Sequence, residues 1–220
     1  MPGQIVQPIR PGWKFGFLWT LATGVGALVG PAFALPVNLA LVALLGVTAP
    51  VPGTPVQQAL ILTLDGLGAS MLFVGLGMGF GQWLLLRKYL KHSGGWILAT
   101  GLAMVFSGLF RWSLPSDTSP ALIGPLTIPA GAILLAVCQW FALRGRVPHA
   151  AWWVVICIAG WVPTLAFAIA DAYLQFFSES PFVLAISVIA IGTILPFAVA
   201  AGGMVWLLRE TLSARQAIAS

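Results

Sequence analysis

Apolar stretches long enough to cross a bilayer follow one another along this chain with only short turns between them. About 20 predominantly apolar residues cross the hydrocarbon core as a helix. By that measure six spans are expected, over about 15–35, 57–86, 94–112, 121–143, 150–171 and 181–208. A helix that is hydrophobic on all sides has no polar face to present to water, and in lipid its backbone groups are satisfied within the segment. The expected fold class is therefore all-α integral membrane, one transmembrane domain over 1–220, with no linker for a soluble unit. Composition agrees: 60% of the residues are hydrophobic and 7% charged, with ten Lys+Arg against five Asp+Glu, whereas soluble chains are about a quarter charged. The same scarcity excludes a disordered chain and a nucleic-acid partner held by many basic contacts.

The few charges are placed with strong bias. Arg10 and Lys14 precede the first span, Arg87, Lys88 and Lys91 lie between the second and third, Arg144 and Arg146 between the fourth and fifth, and Arg209 and Arg215 at the end of the sixth. Nine of the ten basic residues thus share one side, and Arg111 alone lies on the other. Lys and Arg are retained on the cytoplasmic side, so both termini are expected there, in a multi-pass protein of the cell membrane. Anionic lipids are the expected partners of that basic face. A basic start followed by an apolar run and Ala32-Phe33-Ala34 also resembles a cleavable signal peptide. Against cleavage, the first span carries a motif that returns later. Pro31 and Pro36 are expected to kink or end the first helix.

The chain repeats itself. Gln82-Trp83-Leu84-Leu85-Leu86-Arg87 returns 57 residues on as Gln139-Trp140-Phe141-Ala142-Leu143-Arg144, and at that offset His92 falls on His149 and Trp96 on Trp153. Trp19-Thr20-Leu21-Ala22-Thr23-Gly24 matches Trp96-Ile97-Leu98-Ala99-Thr100-Gly101. A third, degenerate copy of the first motif, Val205-Trp206-Leu207-Leu208-Arg209, lacks the glutamine and closes one residue short. The expected unit is a transmembrane hairpin, used three times in the same orientation, unlike the inverted repeats of many transporters. With its Trp-x-Leu-Ala-Thr-Gly and Gln-Trp-x-x-Leu-Arg signatures, the chain resembles a group of uncharacterised bacterial polytopic membrane proteins built from tandem hairpins. That resemblance implies the fold and carries no activity with it.

Polar residues inside apolar spans are the functional candidates. Asp65 is the acid deepest within a span, and a cluster with Arg111, which Asp171 could join, is expected, as a structural ion pair or a proton or cation step. Gln82 and Gln139 need partners within the hydrocarbon, and hydrogen bonding between helices is the expected role. Eight of the ten tryptophans fall near basic span ends. Trp19, Trp83, Trp96, Trp140, Trp153 and Trp206 among them are expected to form an interfacial aromatic belt. Ala22, Gly26, Gly30 and Ala34 repeat every four residues in the first span, and Gly77 and Gly81 do so in the second, a pattern that lets helices approach closely. His92 and His149 lie in polar loops and read as solvated. Cys138 and Cys157 have neither disulfide nor metal spacing.

Catalysis needs positioned acids, bases, nucleophiles or metal ligands, and no such set is visible. The sequence names no cofactor and no metal. The expected function is therefore non-catalytic: a structural or accessory subunit of a membrane complex, or a protein binding lipid or another hydrophobic ligand, with a further membrane protein as possible partner. The alternative is a small-molecule transporter or its substrate-binding subunit.

Overall fold

The computed structural model describes residues 11–44, 69–115, 117–174, Gly192 and 194–219. The described residues form six helices and no strand: α1 (Trp13–Leu44), α2 (Ala69–Leu86), α3 (Gly95–Ser113), α4 (Pro120–Leu143), α5 (Trp152–Leu174) and α6 (Leu195–Ala219). Four of them, α1, α4, α5 and α6, contain segments long and apolar enough to cross a membrane. In α2 and α3 the apolar segments Met71–Leu86 and Gly95–Arg111 are shorter.

Two expected boundaries change. Pro31 and Pro36 do not end α1, which continues as helix to Leu44. A proline inside a helix removes one backbone bond and crowds the preceding turn, yet α4 likewise continues through Pro125 and Pro129 and α5 through Pro163. The last helix does not stop at 208 but runs on to Ala219. That extension carries Arg209 and Glu210 on exposed positions.

Each helix packs on its chain neighbours, and α6 closes back on α1. Paired contacts fix the directions. Gly26 meets Gly77 while Gly30 meets Val74, so α1 and α2 are antiparallel. Ile156 approaches Gly203 while Gly160 approaches Pro196, so α5 and α6 are antiparallel too. At the seam Gly16 meets Ala201, and the Arg209 Nε donates to the Pro11 carbonyl at 2.9 Å. The result is a closed ring of alternating helices that gathers Lys14, Arg87, Lys88, Lys91, Arg144, Arg146 and Arg209 at one end.

The α1–α2 joint is set by backbone approach. A Cβ on Gly77 would stand 2.6 Å from the Gly26 carbonyl oxygen, and one on Gly81 2.7 Å from that of Ala22. Neither space admits a methyl group, so the small residues expected to pack helices face one another here.

The α2–α3 and α4–α5 connections share one design. Leu90 N–H donates to the Leu86 carbonyl and Val147 N–H to that of Leu143, tucking Leu90 and Val147 into the core. His92 and His149 then both take φ 57°, the left-handed region, which reverses the chain before the next helix, where the Ser93 and Ala150 carbonyls accept from the N–H groups of Trp96 and Trp153.

Candidate functional site

The core is concentrated at the basic end and built on three indoles. Trp19, Trp96 and Trp153, one from each odd-numbered helix, are 0–1% exposed and meet edge to face. Their ring centroids lie 5.7 Å (Trp19–Trp96), 5.5 Å (Trp96–Trp153) and 6.3 Å (Trp19–Trp153) apart. Edge-to-face contact aligns the positive edge of one ring with the negative face of the next. These three residues therefore fill the interior, a correction to the interfacial belt expected of them. Trp83 and Trp140, in the last turns of α2 and α4, and Trp206, midway along α6, are partly or more exposed, and the Arg87 and Arg144 guanidinium groups lie over Trp83 and Trp140 at 5.2 and 5.9 Å.

A buried indole N–H needs an acceptor, and the even-numbered helices supply it. The Trp96 Nε1 donates to the Gln82 Oε1 at 2.7 Å, the Gln82 Nε2 donates to the Thr23 Oγ1 at 2.9 Å, and that hydroxyl donates to the Trp19 carbonyl at 2.7 Å. One turn of the ring away the arrangement recurs. The Trp153 Nε1 donates to the Gln139 Oε1 at 3.2 Å, the Gln139 Nε2 to the Thr100 Oγ1 at 3.0 Å, and Thr100 to the Trp96 carbonyl at 3.0 Å. Each glutamine, 4% and 2% exposed, thereby ties the helix before it to the helix after it. Bonds oriented in one sense polarise one another.

The third position of the ring lacks this bridge. Five residues before Arg87 and Arg144 stand Gln82 and Gln139; five before Arg209 stands Met204, fully buried. Four residues after Trp19 and Trp96 stand Thr23 and Thr100; four after Trp153 stands Cys157, also buried. The Trp19 Nε1, for which this bridge would be the acceptor, is buried without a hydrogen-bond partner. Trp206 stands three residues before Arg209, whereas Trp83 and Trp140 stand four before Arg87 and Arg144. No family model, curated protein or solved structure matches the chain.

Of the other candidates, only some fall among the described residues. Asp65 lies outside the described residues, and so does the side chain of Asp171 in the last turn of α5. Arg111 is exposed in the last turn of α3. His92 and His149 are exposed, and their shared φ accounts for their repetition, since histidine tolerates that region better than most residues. Among the described residues no group of three or more His, Cys, Asp or Glu could hold a metal.

Three depressions flank α1. Between α1 and α2 runs a groove of 810 Å³ whose walls include Leu18, Val25, Phe33, Phe73 and Leu85. Between α1 and α6 lies another of 750 Å³, reaching from Trp13 to Ile194. At the basic end a smaller hollow of 310 Å³ is lined by Trp13, Lys14, Lys88 and Tyr89 and shares Leu18 and Leu85 with the first groove. Tyr89 packs edge to face on Phe15 at 5.4 Å, and burial raises its phenol above the usual value, so it stays protonated as a donor. Sequence reasoning missed Thr23, Thr100, Cys157 and Met204. Each was visible as a fixed offset from a repeated Trp or Arg.

Proposed function

We propose that the chain is a multi-pass protein of the cell membrane. In this reading its six helices cross as three parallel hairpins, both termini lie on the cytoplasmic side, and the protein acts without catalysis as a lipid-binding or accessory subunit. The observation that carries this reading is the use already made of the interior polar groups. Both ends of the Gln82 and Gln139 amides are engaged inside the ring, and three indoles fill the space between the helices. A substrate path needs polar groups that converge on a ligand and exchange protein partners for it. Here the glutamines serve helix association instead, while the apolar grooves lie on the outside, where acyl chains or another transmembrane helix would rest.

The distribution of charge supports the orientation. Lys14, Arg87, Lys88, Lys91, Arg144, Arg146 and Arg209 share one end of the helices, as the positive-inside rule requires of a cytoplasmic face.

Purification in a mild detergent, followed by native mass spectrometry, tests the proposal. Tightly held lipid or a stoichiometric membrane partner is the expected result. Saturable uptake of a small solute by vesicles containing the purified protein would replace this reading with the transport alternative.

A further inference from the structure

We infer that the hollow between α1 and α2 at the basic end is a binding site for one anionic glycerophospholipid, with its phosphate between Lys14 and Lys88 and an acyl chain in the adjoining groove. The inference rests on the membrane reading above and adds to it a location and a ligand class.

Charge complementarity is the first support. Lys14, in the first turn of α1, and Lys88, in the turn that follows α2, line the same 310 Å³ hollow. Two cations facing one small space repel each other, and an anion between them converts that repulsion into two attractions. Neither lysine has an acidic neighbour in sequence. Tyr89, whose protonated phenol lines the hollow too, adds an uncharged donor suited to a phosphate or glycerol oxygen.

Continuity with the apolar groove is the second. Leu18 and Leu85 belong to the walls of both spaces, so a molecule with a charged head and an apolar tail fits without a break. From Leu18 to Phe33 the groove follows α1 for about 22 Å, at 1.5 Å per residue. One leaflet of the hydrocarbon core is about 15 Å deep. A free phosphate would use the head site and leave this groove without a role.

The third support is that the other hairpins lack the pair. At the offset of 57, Lys88 falls on Gly145 and Lys91 on Pro148, and Glu210 follows Arg209 as Lys88 follows Arg87. The equivalents of Lys14 and Lys88 are therefore Lys91 with Gly145 in the second hairpin and Pro148 with Glu210 in the third. Only the first presents two cations, so a single lipid site is expected rather than a uniformly basic surface.

The test uses the full chain, with membrane integration read first by resistance to carbonate extraction. The purified protein is then exchanged into nanodiscs of phosphatidylglycerol mixed with phosphatidylcholine, and lipid retained after dilution into detergent is weighed by native mass spectrometry. One phosphatidylglycerol per chain is expected, preferred by about 30-fold, the order that two lysines near an anionic headgroup supply. K14Q/K88Q should abolish the preference, K14R/K88R should keep it, and R144Q/R146Q should leave it unchanged. Equal retention of the two lipids, an unaltered preference in K14Q/K88Q, or an equal loss in R144Q/R146Q would overturn the site while leaving the membrane reading intact. Extraction of the chain by carbonate would overturn both.

Discussion

The indoles of Trp19 and Trp96 pack edge to face with centroids 5.7 Å apart, yet the Trp96 N–H has an acceptor 2.7 Å away and the Trp19 N–H has none. The difference traces to Met204 standing where the other even-numbered helices carry glutamine. Met204→Gln should therefore stabilise the protein, by about 1 kcal/mol, the order of a hydrogen bond between membrane helices. Thermal unfolding in detergent reads this as a rise of a few °C. Adding Cys157→Thr gives the new amide its second partner, so the double variant should exceed the sum of the single changes. A fall in stability for Met204→Gln would show that the space around Trp19 does not admit an amide.

Gln139→Leu should act in the opposite direction. It leaves the buried Trp153 N–H without an acceptor, a loss of about 1–3 kcal/mol. In a double-mutant cycle Trp153→Phe removes the donor as well. The loss caused by Gln139→Leu should then shrink, because no orphaned group remains.

Glycines in the same ring separate into two classes. Gly77→Ala forces a methyl group against the Gly26 carbonyl and should cost about 1–3 kcal/mol. Gly24→Ala, in the helix that Gly77 faces, meets nothing within 4 Å and should leave the unfolding midpoint unchanged. Size-exclusion profiles and thermal unfolding of the two variants, measured together, check the contrast.

The paired histidines are set by backbone conformation. His92→Gly should hold or raise stability, because glycine adopts φ 57° without steric cost. His92→Val should lower it by about 1–2 kcal/mol, since a β-branched residue fits that region poorly. Dependence of either outcome on added divalent metal would contradict this account and point to ligation.

Much of the helical architecture could be read from the chain because apolar length and charge placement are local properties. The stretch from Trp152 to Leu174 declares itself a helix whatever surrounds it, and it starts within two residues of the expected position. The role of Trp19 is different in kind. Near the end of a span an indole suits both a headgroup zone and a core, and only the closure of α6 on α1 decides between them. Repetition was the stronger signal: His92 with His149 and Gln82 with Gln139 marked positions where the fold does the same thing twice. It did not say whether the shared demand was a ligand, a hydrogen bond or a value of φ. The helical continuation through Pro31 and Pro36 was not legible, because a proline's effect depends on which neighbouring groups take up the freed carbonyl.

Five of the six joints in the ring link helices adjacent in the chain, and the sixth links α1 to α6, where Arg209 reaches Pro11 across 198 residues. In the membrane reading proposed above, adjacent pairs can dock as they emerge during insertion, whereas the seam waits for the last helix. Until then the Gly16 side of α1, which Ala201 covers in the completed ring, stays without its neighbour. The step that completes the ring is thus also the latest, and it joins the one position where no glutamine holds the helices together. Premature release, or an intruding helix from a second copy, would strike this seam before any other.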